Sequence, residues 1–95
     1  MKRYIIERAI PGVGSLSRDQ LKGAAETSNA ALSKLAPKVQ WLQSFVSKDQ
    51  TFCVYLAEDE AAIHEHARLS GFPASKITEV TGVIDPTTAN GTANA

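Results

Sequence analysis

Few side chains in this 95-residue chain carry chemistry beyond packing. They are the only two histidines, His64 and His66, the only thiol, Cys53, the phenol of Tyr55 two residues on, and the carboxylate of Glu7. A neutral imidazole can hold a divalent ion or accept a proton. Imidazole, carboxylate, phenol and thiolate together would suit a borderline ion such as nickel, zinc or cobalt. The imidazole of His66, or Glu7, could equally serve as a general base. Which of these can work together depends on the elements that carry them. Residues two apart share a face on a strand, but on a helix they point about 200° apart.

The histidines lie in AAIHEHARLSGFP, residues 61–73. Asp59 or Glu58 can cap a helix over 60–70, which Gly71 and then Pro73 would close. On that helix Ala62, Ile63, His66, Ala67 and Ser70 form the inward stripe, and Glu60, His64 and Arg68 point outward. The two histidines therefore do not chelate one ion. His64 reads as a solvated surface residue. His66 is a polar ring on an apolar face, either a metal ligand or base, or a core imidazole hydrogen-bonded to a backbone carbonyl.

The other elements follow from similar signals. KRYIIERAI (2–10) is β-branched and ends at the turn signal Pro11-Gly12. Gly12 and Gly14 flank Val13 and read as a turn rather than a phosphate loop. Ser17 and Gln20 fit a capping box, followed by a helical stripe of Leu21, Ala24, Ala25, Ser28, Ala31, Leu32 and Leu35 that stops before Pro37. VQWLQSFVS (39–47) and TFCVYLAE (51–58) form a hairpin about KDQ, and KITEVTGVI (76–84) is the last strand. Residues 1–86 make a single domain, and 87–95 are expected to be a flexible tail. The order β-α-β-β-α-β implies an α+β, ferredoxin-like fold. Its four-stranded antiparallel sheet carries both helices on one face, with strands one and three central.

The second sheet face then has no helix to cover it. Simple alternation puts Trp41 and Phe45 on one face and Leu42 and Val46 on the other, and sets Phe52, Val54 and Leu56 against Cys53, Tyr55 and Ala57. Apolar bulk on both faces predicts that a second copy covers the open one, a homodimer in the manner of a dimeric α+β barrel. Alternation does not decide which face carries Cys53 and Tyr55. If they face the helices they can join His66; if not, His66 works apart from them. Glu7, in the other central strand, needs a partner or a wet edge.

Composition narrows the classes. Ten basic and ten acidic residues give no net charge and form no cluster, which argues against nucleic acid or an anionic membrane as partner. A single cysteine allows no internal disulfide and suits a cytoplasmic setting. The apolar run at the N-terminus is broken by Glu7 and Arg8, so it is no signal peptide, and no segment is long enough to span a bilayer. No C-x-x-C, H-x-x-x-H, phosphate-binding glycine loop or nucleophile elbow is present.

The stretches YIIERAIPG, TFCVYLAEDEAAIHEHARLSGFPASKITEV and VIDPTTA resemble a family of short, mostly bacterial proteins of unknown function, one branch of which is described as nickel-binding or nickel-responsive. The likeness spans residues 3–89. It implies a ferredoxin-like fold and a homodimer, and puts His66 at the family's usual histidine position, while many relatives carry arginine at that of His64. The expectation is a small cytoplasmic homodimer that binds Ni²⁺ or another divalent transition metal. His66 would supply the imidazole, Glu7 a charge-balancing carboxylate, Cys53 a soft ligand, and Tyr55 a ligand or a supporting donor. Two alternatives stand beside it: a dimeric α+β barrel enzyme acting on a small organic substrate, and an interaction module that docks a partner on its open sheet face.

Overall fold

The computed structural model describes residues 1–91. Its elements are β1 (Lys2–Ala9), α1 (Arg18–Leu35), β2 (Val39–Val46), β3 (Gln50–Ala57), α2 (Glu60–Ser70) and β4 (Lys76–Val80), with short 3₁₀ turns at Val13–Ser15 and Pro86–Asn90. The four strands form one antiparallel sheet in the order β2-β3-β1-β4, so β1 and β3 are central. This is the ferredoxin-like α+β arrangement that the element order implied.

The helix ends follow from local chemistry. The Ser17 hydroxyl accepts from the Gln20 amide, and the Gln20 side chain accepts from the Ser17 amide, closing the capping box of α1. Asp59 caps α2 by accepting from the Ala62 amide, and Gly71 ends it in the left-handed region at φ 78°, a conformation that costs glycine little. The last strand stops at Val80 rather than 84. Beyond it Asp85 caps the Pro86–Asn90 turn, so the segment expected as tail carries local order at its start; 92–95 lie outside the described residues.

The core lies between the sheet and the helices. Tyr4, Ile6, Cys53, Tyr55 and Ala57 point inward to meet Ala62 and Ile63, with Leu32 and Leu35 packed against them. The helix-facing side of β3 is therefore Thr51, Cys53, Tyr55 and Ala57, and Phe52, Val54 and Leu56 turn to the open face.

β2 departs from simple alternation. Trp41 pairs with Tyr55 but Gln43 pairs with Val54, a bulge at Leu42. One extra residue inverts the facing of everything beyond it. Trp41, Ser44 and Val46 consequently share the helix side, and Phe45 turns to the open face, where it is 58% exposed. The expectation that Trp41 and Phe45 share a face is corrected by this bulge.

Candidate functional site

Cys53 and Tyr55 sit on the same side of the sheet as His66, which α2 lowers onto them. The His66 ring is 1% exposed and lies 5.2 Å from the Tyr55 ring, centroid to centroid. Its Nε2 shares a 3.2 Å hydrogen bond with Ser28 Oγ on α1. The partner is thus Ser28 of the other helix, whose side chain and backbone both hydrogen-bond the ring. Burial, and then the nearby positive charge of Arg8, lower the His66 pKa to about 4, so the ring is neutral at pH 7. Burial also raises the pKa of Tyr55, with Arg8 acting in the opposite direction. The Cys53 thiol is buried and donates to Thr51 Oγ1 at 3.5 Å.

The charged member of this cluster is one the chemical reading of the sequence passed over. Arg8 is 3% exposed. One of its terminal nitrogens, Nη1, donates to the carbonyls of Phe72 at 3.3 Å and Pro73 at 2.8 Å, and Nη2 donates to the Tyr55 hydroxyl at 3.5 Å. Its guanidinium carbon is 5.9 Å from the centre of the Tyr55 ring, within the range of a cation–π contact. All these partners are neutral. Among the described residues no carboxylate lies within ion-pair distance of Arg8. The signal for this residue was in the spacing: Arg8 is in phase with Tyr4 and Ile6, a charge at an inward position of a central strand.

Arg8, Ser28, Cys53 and Tyr55 lie at a cavity of about 330 Å³ between α1 and the sheet. Its walls are apolar, formed by Val13, Leu16, Leu21, Ala24, Ala25 and Trp41 among others. The cavity exists because the sheet-facing residues of α1 at this end are small. Alanines 24 and 25 and Ser28 cannot fill the gap that larger side chains would close. Trp41 is held in place by its indole N–H, which donates to Ser44 Oγ at 2.9 Å.

Glu7 does not join this cluster. It alternates with Ile6 and Arg8, so it projects from the opposite sheet face, where Lys76 Nζ approaches it to 3.9 Å. His64 is exposed on the outer side of α2, 3.7 Å from Glu60. Of the four expected metal ligands, His66 packs on Tyr55 and Cys53 lies on the same side of the sheet, whereas Glu7 does not. Among the described residues no group of three or more His, Cys, Asp or Glu side chains is arranged to hold a metal ion. A dication at His66, Cys53 and Tyr55 would also lie beside the buried Arg8 cation, and the one carboxylate meant to balance it is across the sheet. These residues do not fit a divalent ion within one chain.

The family described as nickel responsive protein, SCO4226-like, matches residues 4–80, most of the chain. The chain belongs to this family. The crystal structure of SCO4226 from Streptomyces coelicolor A3(2) is similar over 86% of this chain and 99% of its own, with a TM-score of 0.72 and 19% identity. At that identity the likeness supports the shared ferredoxin-like fold. No curated protein matches the chain. No helix among the described residues is long and apolar enough to cross a membrane.

Proposed function

We propose that this member of the nickel-responsive family is a small-molecule-binding protein whose ligand occupies the cavity between α1 and the sheet. The observation that carries the reading is an apolar-walled space of about 330 Å³ with a buried arginine at its edge. Ligand sites are typically concave and mostly apolar, with few polar groups to fix orientation, and start near 300 Å³. This develops the small-organic-ligand alternative rather than a metal held by His66, Glu7, Cys53 and Tyr55. Binding is favoured over catalysis by the state of His66. A ring whose pKa is about 4 is a weak base at neutral pH, and its bond to Ser28 serves to tie α2 to α1.

The open sheet face supports pairing with a second copy. Ile5, Phe52, Val54 and Leu56 form a half-buried apolar field beside the exposed Phe45. Charges of both signs accompany it. Among the described residues Arg3 has its Nε buried without a hydrogen-bond partner, and Glu7 has only a distant lysine. In an isologous pairing, such charges can meet their opposites on the other copy.

A second reading rests on the family match: nickel acts on this chain through donors contributed by more than one copy. The two readings separate in one experiment. Small apolar compounds titrated into ¹⁵N-labelled protein should shift the indole resonance of Trp41, the chain's only tryptophan, while nickel leaves it in place. A nickel-induced shift there, with no response to any organic compound, would reverse the assignment.

A further inference from the structure

We infer that the cavity takes a small apolar carboxylic acid as its anion, with the carboxylate on Arg8 and the hydrocarbon body between α1 and Trp41. The inference rests on the small-molecule reading above and names the chemistry of its ligand. A buried guanidinium is costly to desolvate unless its charge is answered. Among the described residues only neutral groups touch Arg8. The carbonyls of Phe72 and Pro73 lie just beyond the C-terminus of α2, where the helix dipole offsets part of that cost, but no carboxylate among the described residues neutralises the charge. A guanidinium carries five N–H donors in a planar fork suited to a carboxylate, and three contacts to neutral oxygens leave part of that capacity unused on a side chain that lines the cavity.

The other groups set the ligand's remaining features. Tyr55 keeps its proton, because burial raises its pKa, and its hydroxyl can donate to an anionic head. His66 is neutral at pH 7, so a single positive charge faces the cavity. One cation suits a monoanion. A dianion would bring a second charge into apolar walls with nothing to balance it. Taking about 30 Å³ per water-sized group, a cavity of about 330 Å³ holds a body of about ten non-hydrogen atoms. Octanoate is of that size, and the apolar walls call for an unbranched or simple cyclic chain rather than a sugar or an amino acid.

Fluorescence of Trp41, which lines the cavity, tests this on the unmodified protein with octanoate, 1-octanol and octylamine. Octanoate should saturate the signal and bind at least ~10-fold more tightly than octanol, since a hydrogen bond to a charged group contributes about 1.5–3 kcal/mol. Octylamine should not bind. Arg8→Lys should weaken octanoate several-fold, and Arg8→Gln should abolish the preference for acid over alcohol while circular dichroism verifies the fold. If Arg8→Gln does not fold, the head-group series on the wild type decides alone. Octanol binding as tightly as octanoate, or octylamine binding best, overturns the carboxylate and leaves the cavity reading in place. No response to any of the three overturns both.

Discussion

At the scale of single residues, His66 has the most measurable consequence. Its pKa falls from the ordinary 6.5 to about 4 in the folded chain. Between those values the unfolded chain binds the extra proton and the folded one does not. The stability that His66 contributes as a neutral ring is therefore complete above pH 6.5 and lost as pH drops towards 4, about 3 kcal/mol in all. Urea unfolding of the wild type should show this loss between pH 6.5 and 4.5, above the range of ordinary carboxylates. His66→Gln should be nearly flat across that window, and an equally steep variant would mean the ring titrates normally. His64→Ala, on the exposed side of the same helix, should change stability by no more than about 0.5 kcal/mol at pH 7. The distinction between the two histidines was legible in the sequence, because helix phase alone separates positions two apart. Arg8 was also visible as a charge in phase with Tyr4 and Ile6. What the sequence lacked was any sign that its counter-charge would be missing, since that depends on which groups the fold brings to it.

At the scale of elements, caps and turns were the most legible features, because each is set by a few adjacent residues. Ser17 with Gln20, Asp59, and Gly71 all do in the structure what their types predict. The bulge at Leu42 was not legible. Nothing in VQWLQSFV distinguishes a continuous strand from one with an extra residue, and pairing with β3 decides it. The cavity was half legible: the small residues Ala24, Ala25 and Ser28 stand in the stripe of α1, but whether they let the helix close on the sheet or leave a gap depends on how the helix sits. Gly14 illustrates a glycine required by space. Its amide donates to Lys48 O at 3.0 Å, and an added Cβ would come within 2.7 Å of Ser47 O and 2.8 Å of Lys48 Cα, both backbone atoms. The G-x-G spacing thus reflects a turn packed on the β2–β3 connection. Gly14→Ala should destabilise the fold by about 1–3 kcal/mol, seen as a lower denaturation midpoint at unchanged slope. A neutral substitution would mean that connection yields freely.

At the scale of the whole molecule, two surfaces of the sheet divide the work. One faces the helices and holds Arg8, Tyr55, Cys53 and His66. The other is open and apolar, and should pair with a second copy. Sedimentation at micromolar concentration should give a dimer for the wild type and a folded monomer for Phe45→Asp, because Phe45 is an exposed aromatic on that face. A stable wild-type monomer would contradict the pairing. The element order made this division legible, since βαββαβ places both helices on one side, but only the register of β3 decided which chemistry lay on which side. The helix-covered side is proposed to hold a small organic anion. Isotope-filtered NMR on the wild-type protein with ¹³C-labelled octanoate tests it most directly. The octanoate methylenes should contact the methyl groups of Ala24 and Ala25 and the Trp41 ring, with Arg8 side-chain resonances shifted. Contacts to Ile5, Phe45 or Val54 on the open face instead, or none at all, would contradict it.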